Sequence, residues 1–598
     1  MKGASRLWTF LLLTVFVVGC SGAPTRPESV GRGEYEKVAE YVSKRIRHEM
    51  GKRDVTGLSI ALVDDQRVVW AAGFGYADKA GNVPASPDTI YRAASISKLF
   101  TATAAMQLVE QGRFDIDRPL GDYLHGFSIR TRFADDAPIT PRSIMTHHSG
   151  LPSDYLKGMW TRDPESFTRV AARLKDEYAA NPPGAVYSYS NLGVTLLGDA
   201  IGKVAGRDFA SHVGDALLRP LGMTRSSFSP SVDRTPLAAK GYRNGKEAED
   251  PSLRDVPAGG MNTTVLDLSR FVRMVFAEGK AGDRQIITPD TLAEMLRPQN
   301  AGVPLDLDFR VGLGWMLGEL GGIDIRDSGP MAHHAGATLL FHGQMIVLPE
   351  RALGVVVLAN SATSGPVVRK VAAEALKLAL EAKTGHRPPE REKSEGGEGS
   401  LSTEALQWYE GWYATLVGAV HIRKSSGGLR ADVLNRTLRL IPRADGSLGL
   451  QFRLLGLFPI RIEAIDGVGV SRADVAGREV LAARMHGRTF PIGERIRPVP
   501  VRAEWLGRTG EYEIVNPGED AVLPEKIRLR ADGGFLFVDF AVPPFFPGTA
   551  SFAVAPVSES EAILRGIGRN MGETVRVITV NGEEMFAYSG YLLRKKTE

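Results

Sequence analysis

Cysteine is nearly absent from this sequence, with one residue, Cys20, in 598. An intrachain disulfide, a CxxC redox pair and a cysteine-rich zinc site are therefore excluded. An excess of charge is also lacking, because 73 Lys and Arg against 69 Asp and Glu leave a net charge of +4. No Lys/Arg run forms the basic stripe that phosphate backbones require, so we expect no nucleic-acid partner. No apolar segment is long enough to predict a transmembrane helix.

The composition that is present is that of folded protein. The hydrophobic fraction is 43% and the charged fraction 24%, which excludes wholesale disorder, collagen and coiled coils. At roughly 150 residues per domain the length predicts about four units, of which a large enzyme fold could absorb two. The 66 glycines exceed the usual share and indicate many turns, and hence much β-structure.

The N-terminus carries a targeting pattern. Lys2 and Arg6 precede an apolar run at residues 7–18, which has the length of a signal-peptide core and is short for a bilayer span. The run ends in Val-Val-Gly-Cys20-Ser21, and this resembles a bacterial lipobox. An ordinary secretory signal with an incidental cysteine is the alternative.

The lipobox resemblance implies a signal peptide over residues 1–19 and lipidation of Cys20, which would then hold the chain on a membrane. We therefore expect the protein in the cell envelope, on the periplasmic face of the outer membrane. Residues 20–33 are rich in Gly, Pro and Ser and are predicted to be a flexible tether.

Periodicity predicts a mixed α/β domain over residues 34–385. Apolar positions recur at helical spacing in residues 34–52, and residues 57–74 have the pattern of a β-hairpin. Further helices are predicted around residues 95–111, 191–204 and 367–382, and further strands at 339–348 and 353–358.

A linker and a β-rich region follow. Residues 386–400 are almost without apolar side chains and cannot bury a core, so we expect the domain over residues 34–385 to fold alone. The short alternating runs beyond them are typical of β-domains. Gly411-Trp412-Tyr413 and Gly510-Glu511-Tyr512 share a kernel 99 residues apart, which predicts two β-barrels, over 401–500 and 501–598. A single larger β-domain is the alternative.

A candidate nucleophile stands at the start of a predicted helix. In Ser95-Ile96-Ser97-Lys98, the three-residue spacing puts Ser95 and Lys98 on one helix face, where the amine can deprotonate the hydroxyl. The helix N-terminus also offers backbone N–H groups to a developing oxyanion. The SxxK pattern is weak alone, and an exposed, capped helix start is the alternative.

A second motif strengthens this interpretation. Tyr189-Ser190-Asn191 lies in a turn that leads directly into an apolar helix, and Ser, Lys and Tyr together make a base-assisted acylation apparatus. Tyr242-Arg243-Asn244 fits the same YxN pattern, but an Asn-Gly turn follows it with no helix, so we interpret it as structural.

These motifs resemble those of the serine β-lactamase and penicillin-binding-protein superfamily, in its class C β-lactamase-like branch. Supporting stretches lie at residues 139–152, 220–224, 257–264 and 312–315. The resemblance covers about residues 34–385 and implies an antiparallel sheet flanked by helices. In that family SxxK carries the nucleophile, YxN supplies the tyrosine, and K-T-G or H-x-G on an edge strand lines the opposite wall of the site.

Three segments match this third element. Lys383-Thr384-Gly385 ends an apolar-periodic helix with no strand after it, so we predict a helix C-terminus there. His148-Ser149-Gly150 precedes YxN, which is the wrong order. His334-Ala335-Gly336 follows YxN and leads into two predicted strands, so we assign it to the site. H-x-G resembles the DD-peptidases, D-aminopeptidases and esterases of the superfamily more than its β-lactamases.

The resemblance implies an acyl-enzyme mechanism. It assigns catalysis to Ser95, Lys98 and Tyr189, and substrate binding to Asn191, His334 and Gly336. The oxyanion hole would consist of the N–H of Ser95 and one from the strand after Gly336. No cofactor is needed, and no metal is implied, because the histidines show no HExxH pattern.

The expected substrates are peptides or amides of D-amino acid or cell-wall origin. A carboxylesterase using the same residues is one alternative, and a non-catalytic binder of penicillin or peptidoglycan is another. A catalytic domain followed by two barrels resembles D-aminopeptidases, in which a loop from the extension reaches the mouth of the active site. The oligomeric state is not indicated.

Overall fold

The computed structural model describes residues 22–134, 137–231, 235–319, 325–389, 399–425, 428–434, 436–454, 458–460, 467–485, 487–543 and 548–597. The predicted signal peptide at residues 1–19 and the predicted lipidation site Cys20 lie outside the described residues. Within these ranges, no helix has both the length and the apolar character needed to cross a bilayer.

An eight-stranded antiparallel sheet forms the centre of the first domain. Its strands are β1 (Gly57–Asp64), β2 (Arg67–Asp78), β3 (Val83–Pro84), β4 (Arg310–Val311), β5 (Met316–Leu317), β6 (Ala332–Ala337), β7 (His342–Leu348) and β8 (Leu353–Ala359). Their order across the sheet is β4-β5-β6-β7-β8-β1-β2-β3. The strand β6 therefore lies towards one edge, with only the two-residue strands β5 and β4 beyond it.

Helices cover both faces of this sheet. The longer ones are α1 (Tyr35–Arg53), α2 (Ser97–Glu110), α3 (Asn191–Ala205), α4 (Val265–Phe276) and α5 (Gly365–Thr384). Shorter helices span Pro141–Met145, Val170–Arg173, Phe209–Val213, Val256–Gly259 and Pro289–Leu296. Short strands at Tyr91–Arg92, Trp160–Thr161, Ser227–Phe228, Tyr242–Arg243, Lys246–Glu247, Ser252–Leu253, Met261–Thr263, Lys280–Ala281 and Arg284–Gln285 complete the domain.

The sequence of β1 explains why both faces must be covered. Successive side chains of a strand point to opposite faces. Leu58, Ile60 and Leu62 pack into the core that contains α1 and α5, whereas Ala61 and Val63 pack into the core that contains α2, α3 and α4. A nearly continuous apolar run is therefore buried on both sides, and the predicted mixed α/β domain with helices flanking an antiparallel sheet is confirmed.

The segment predicted to be a tether, residues 20–33, is partly packed on the domain. Val30 is buried, and its N–H donates to the Glu381 carboxylate at 2.8 Å. The Gly33 N–H donates to the Ala382 carbonyl at 2.7 Å, and Arg26 pairs with Glu381 at 3.5 Å. The prediction of a free tether is therefore wrong for the part that includes these residues. Composition could not show that a buried carboxylate on α5 accepts the N–H of Val30.

The K-T-G match at residues 383–385 lies at the end of α5, as predicted. The helix stops at Thr384, and Gly385 adopts a left-handed φ of 72°. Lys383 bonds to Asp64 at 2.7 Å. Residues 390–398 of the predicted linker lie outside the described residues.

Two closed eight-stranded barrels follow, so the prediction of two β-domains is confirmed over the alternative of one. The first contains β9 (Gly411–Thr415), β10 (Gly418–Ser425), β11 (Gly428–Val433), β12 (Arg436–Pro442), β13 (Leu448–Leu454), β14 (Phe458–Ile460), β15 (Gly469–Val475), β16 (Arg478–Met485) and β17 (Arg488–Ile496). It closes by pairing β12 with β13, and β14 is an added strand on β13. The second contains β18 (Gly510–Ile514), β19 (Glu525–Asp532), β20 (Phe535–Ala541), β21 (Thr549–Pro556), β22 (Glu561–Leu564), β23 (Thr574–Val580), β24 (Glu583–Tyr588) and β25 (Tyr591–Lys595).

The two barrels begin in the same way. Each starts with a short helix, Thr403–Tyr409 or Ala503–Gly507, followed by the glycine of the repeated kernel. Those glycines, Gly411 and Gly510, have φ of 143° and 144°. In each barrel the hydroxyl of the kernel tyrosine donates a hydrogen bond to the carbonyl oxygen of the residue four positions earlier. The O···O distance is 2.9 Å for Tyr413 and 2.5 Å for Tyr512. The short repeat in the sequence therefore marks the place where each barrel begins.

Candidate active site

Ser95 lies in a tight turn beside the edge of the sheet. It is the middle residue of a 3₁₀ turn, Ala94–Ile96, from which α2 continues at Ser97. Ala94 has a φ of +51°, in a region that costs a non-glycine residue energy and is concentrated at functional sites. The strand β6 passes so close that a Cβ atom at Gly336 would overlap the Ala93 carbonyl oxygen. Glycine is therefore required where the strand meets the turn that holds Ser95.

Lys98 is buried and makes three hydrogen bonds. Its Nζ lies 2.7 Å from Asn191 Oδ1, 2.8 Å from the Ala258 carbonyl oxygen and 3.2 Å from Ser95 Oγ. Amide and carbonyl oxygens can only accept. A neutral amine therefore donates its two N–H groups to Asn191 and Ala258, which leaves its lone pair for the Ser95 hydroxyl hydrogen.

The electrostatic surroundings of Lys98 favour that neutral form. Burial lowers the pKa of Lys98 well below its ordinary value, and the charge of Arg569 lowers it further, while Asp154 and Asp255 act in the opposite direction. Desolvation penalises the charged form of an amine. Lys98 is therefore poised to accept a proton from Ser95.

Tyr189 and Asn191 meet Lys98 at the start of α3. Ser190 caps this helix through the Gly193 N–H at 2.8 Å, which fixes the residues on either side of it. The Tyr189 ring lies 4.8 Å from Lys98 Nζ. Burial raises the pKa of Tyr189 to about 12, against the opposing effect of a hydrogen bond with Ser95. Tyr189 is therefore a neutral phenol at physiological pH.

His334 lies on β6, as H-x-G predicted. Its Nδ1 lies 2.7 Å from the Ala335 carbonyl oxygen and must carry the hydrogen in that contact. Burial lowers the pKa of His334 to about 3. Nε2 is therefore an acceptor, and it is buried without a hydrogen-bond partner among the described residues.

Sequence reasoning missed a role for His147. The His147 ring lies 4.3 Å from that of Tyr189, and its Nδ1 accepts the Ser190 N–H at 3.2 Å. Its φ of +60° lies in the left-handed region, which is uncommon for a residue other than glycine. The adjacent His148 instead bonds to Asp306 at 2.7 Å. The stretch at residues 139–152, which contains His147, is the sequence signal that could have suggested a positioning residue here.

Asp154 is a second residue that the sequence did not reveal. It accepts from Asn191 Nδ2 at 2.8 Å. Because a carboxylate can only accept, it fixes the amide so that Oδ1 faces Lys98. The loop that carries Asp154 is held by the buried Arg254, which donates to the carbonyls of Tyr155 at 2.6 Å and Lys157 at 2.7 Å.

The second barrel completes this arrangement. The connection between β22 and β23, residues 565–573, lies against the catalytic domain. Arg569 pairs with Asp154 at 3.0 Å, and its guanidinium carbon lies 5.2 Å from the centre of the Tyr189 ring. A contact of an extension loop with the site, implied by the resemblance to D-aminopeptidases, is thus present, but the residue that makes it was not foreseen.

The second YxN match, which begins at Tyr242, lies apart from this cluster. Tyr242 OH accepts the Lys79 N–H at 2.7 Å in a short hairpin, as expected of a structural residue. In the part of the chain that the structure describes, no group of three or more His, Cys, Asp or Glu side chains could hold a metal ion.

Comparison with protein families matches residues 42–380 to the family described as Beta-lactamase. The chain belongs to the beta-lactamase family. Among curated relatives, Protein flp of Staphylococcus aureus (strain N315) is 25% identical over 329 residues, which cover 54% of this chain and 63% of that protein. The D-alanyl-D-alanine-carboxypeptidase/endopeptidase AmpH of Escherichia coli (strain K12) is 26% identical over 296 residues, or 47% of this chain and 74% of that one.

Solved structures with the same fold extend beyond the catalytic domain. The octameric penicillin-binding protein homologue from Pyrococcus abyssi is 25% identical with a TM-score of 0.50, covering 77% of this chain and 100% of that chain. SurE is 23% identical with a TM-score of 0.54, covering 77% and 99%. The likeness to SurE concerns the fold.

Proposed function

We propose that this protein is an exported hydrolase that cleaves peptide or amide bonds through an acyl-enzyme on Ser95, with D-amino acid or cell-wall-derived peptides as substrates. The observation that carries the proposal is the hydrogen bond of 3.2 Å between Lys98 Nζ and Ser95 Oγ. The likeness to AmpH, named as a carboxypeptidase and endopeptidase, supports the substrate class.

Acylation would begin with proton transfer from Ser95 to Lys98. Oγ then forms a bond to the substrate carbonyl carbon, and the resulting oxyanion accepts from the N–H of Ser95 and one from the strand after Gly336. Collapse of the intermediate breaks the C–N bond, and the leaving amine takes a proton. The phenol of Tyr189, protonated at working pH, relays that proton from Lys98. Water then attacks the ester by the reverse sequence.

Substrate binding would use the wall opposite Lys98. The buried acceptor Nε2 of His334 suits an N–H of a peptide substrate. Both ends of the Asn191 amide are engaged by Lys98 and Asp154, so Asn191 acts first as a positioning residue. Contact between Asn191 and substrate, through its second Nδ2–H, stays a prediction.

Covalent labelling tests this assignment. After exposure of the protein to a fluorophosphonate or to benzylpenicillin, intact-mass analysis and peptide mapping should place one adduct on the peptide that contains Ser95. Ser95→Ala should abolish the adduct, and an adduct that persists in this variant would overturn the proposal. Turnover of D-amino acid amides, D-Ala-D-Ala peptides and short-chain esters would then rank the substrate classes.

A further inference from the structure

Asp306 is a buried carboxylate outside the set of residues that would take part in proton transfer. It ends the 3₁₀ turn Pro304–Asp306, and its side chain is 0% exposed. A buried carboxylate is costly unless its oxygens accept hydrogen bonds. The partners of Asp306 therefore show which parts of the chain it holds together.

Three segments of the catalytic domain meet at this carboxylate. Oδ1 of Asp306 accepts the N–H of Tyr187 at 2.8 Å. Oδ2 accepts from His148 Nε2 at 2.7 Å and also from Asn300 Nδ2. Because a carboxylate can only accept, Nε2 of His148 carries the hydrogen in that contact. Asp306 therefore joins the loop at residues 300–310 to two segments that border the active site.

Both of these segments lead to Tyr189. Tyr187 is two residues before it in the chain, and the Ser188 N–H donates to the His147 carbonyl at 2.8 Å. The His147 ring contacts both tyrosine rings, with centres 5.7 Å from that of Tyr187 and 4.3 Å from that of Tyr189. A displacement of Asp306 would therefore reach Tyr189 through the backbone and through the histidine pair.

The first barrel packs on the loop that carries Asp306. Asp308 and Thr489 are joined twice, since the Asp308 N–H donates to the Thr489 carbonyl at 3.0 Å and Asp308 Oδ2 accepts the Thr489 N–H at 2.8 Å. Phe309 and Phe490 are buried in one apolar cluster, against which Tyr187 packs. The strand β17 of the first barrel therefore fixes the loop directly after Asp306.

The backbone between these two attachments is strained. Leu307 has a φ of +53°, in a region that a residue other than glycine adopts only where its surroundings enforce it. Asp306 holds the chain before Leu307, and the bonds between Asp308 and Thr489 hold it after. The conformation of the loop thus depends on the first barrel as well as on the catalytic domain.

We propose that Asp306 is a positioning residue for the Tyr189 hydroxyl, and that the first barrel supports proton transfer at Ser95 by holding Asp306 in place. A proton-transfer group must lie within hydrogen-bond reach of its partner, and a misplacement of about 1 Å can cost about a hundredfold in rate. This inference rests on the proposed acyl-enzyme at Ser95 and extends its machinery to the first barrel.

The test is a double-mutant cycle on the full-length protein. The kcat and KM for methyl butyrate, whose alkoxide leaving group needs a proton, are measured for the wild type, Asp306→Asn, Tyr189→Phe and the double variant. The rate of Ser95 labelling by a fluorophosphonate, whose fluoride leaving group needs no proton, is measured on the same proteins. Asp199→Asn is the matched control, because Asp199 is also a buried carboxylate of the catalytic domain but pairs with Lys203 along α3.

We expect Asp306→Asn to lower kcat about tenfold or more, because its amide presents a donor where the carboxylate accepts from His148 and Asn300. The KM and the labelling rate should change little. The substitution should have no further effect once Tyr189 is Phe, since a residue that acts through another is not additive with it. Asp199→Asn should keep the wild-type kcat.

Two further substitutions test the two sides of Asp306. His148→Gln, which keeps an N–H donor for Asp306, should retain most of the kcat that His148→Ala loses. Phe490→Ala removes the contact of the first barrel with Phe309 and should lower kcat only in the presence of Tyr189. All variants are compared at equal folded fraction, judged by urea denaturation, and His148→Ala takes the place of Asp306→Asn in the cycle if the latter does not fold.

An equal loss of kcat with and without the Tyr189 hydroxyl, or an equal loss of labelling, would overturn the inference and leave Asp306 as a structural residue. Full activity of a folded Phe490→Ala would overturn the part assigned to the first barrel. A wild type that is labelled but does not hydrolyse methyl butyrate would show that no proton reaches an alkoxide, which would also overturn the inference. Failure of the fluorophosphonate to label Ser95 would instead contradict the proposed function.

Discussion

The carboxylate of Asp154 and the guanidinium of Arg569 lie 3.0 Å apart, although 415 residues separate them in the chain. The pair joins the catalytic domain to the second barrel beside Tyr189 and Asn191. Arg132–Glu561 at 2.9 Å and Glu177–Arg576 at 3.1 Å join the same two units further out. The barrel therefore contributes to the site and is not an independent appendage.

Removal of the second barrel should impair catalysis even on small substrates. A chain ending at Pro500 leaves Asp154 without Arg569 and frees the loop at residues 153–161, which donates backbone N–H groups to Asp520 and Ser589. We expect kcat/KM for a short-chain ester to fall at least about tenfold, because small misplacements of catalytic groups are costly. The polar linker predicts that the domain over residues 34–385 folds alone, but folding alone would leave the site without Arg569.

The assay should compare that chain with the full-length protein at equal folded fraction, judged by circular dichroism and a cooperative thermal transition. A folded chain ending at Pro500 with undiminished ester hydrolysis would show that the barrel shapes substrate choice alone.

Asp154→Ala should lower kcat more than it raises KM. Without its acceptor, the Asn191 amide can rotate and present Nδ2 to Lys98, which removes the acceptor that orients the amine. We expect a loss of about ten- to a hundredfold in kcat. Asp154→Asn, which keeps an acceptor oxygen, should recover part of the activity. Equal activity of the two variants would mean that Asp154 acts through charge alone.

Tyr189→Phe and Tyr242→Phe form a matched pair, because both tyrosines stand in YxN sequences. The first removes the hydroxyl beside Ser95 and should slow acylation by about a hundredfold or more, the usual range for a lost proton-transfer group. The second removes the acceptor for the Lys79 N–H and should cost about 1 kcal/mol of unfolding free energy with kcat unchanged. Stopped-flow acylation and urea denaturation separate the two effects. Similar rates in both variants would exclude Tyr189 from proton transfer.

The pH dependence of acylation should report Lys98. The base must be deprotonated, so kcat/KM is expected to rise with pH through the lowered pKa of Lys98 and to reach its plateau well below the ordinary lysine value of 10.5. Because burial raises the pKa of Tyr189 to about 12, no second limb should appear below about pH 11 in a protein that remains folded. A rising limb near pH 10 would show that Lys98 is an ordinary protonated lysine in the resting enzyme.

Cys20→Ser should move the protein from membranes into the soluble fraction, since lipid on Cys20 is the anchor that the lipobox-like sequence predicts. Fractionation of cells that express the wild type and the variant, with catalytic activity as the marker, measures this. The variant in the membrane pellet would indicate another attachment.

Much of the site could be predicted because its motifs are local. Ser95 and Lys98 are three residues apart, and Tyr189 and Asn191 are two apart on either side of a helix cap, so chain spacing alone fixes their relation. The H-x-G segment at His334 could be assigned from the order of the motifs and from the two predicted strands that follow it. Asp154, His147 and Arg569 were missed because each acts through a contact formed by tertiary packing, and no spacing connects Arg569 to Tyr189.

The fold, too, has parts that local sequence patterns predict and parts that depend on tertiary contacts. Periodicity predicted α1, the hairpin of β1 and β2, α3 and α5 to within a few residues, because each is a long element with a regular pattern. Ser95 was placed at the start of a regular helix, yet it lies in a 3₁₀ turn that the left-handed Ala94 introduces. The packing of Val30 on Glu381 depends on a partner far along the chain, and composition contains no information about it.

The closure of the second barrel has a consequence for biosynthesis. Its last strand, β25, pairs with its first, β18, and the loop that carries Arg569 connects β22 and β23 of the closed barrel. Ser95, Lys98 and Tyr189 are synthesised long before this segment. We therefore expect a chain that is still being synthesised to contain Ser95 and Lys98 before Arg569 is in place. The same holds for a chain that a protease has cut before β25. We therefore expect full reactivity only when the whole chain has folded.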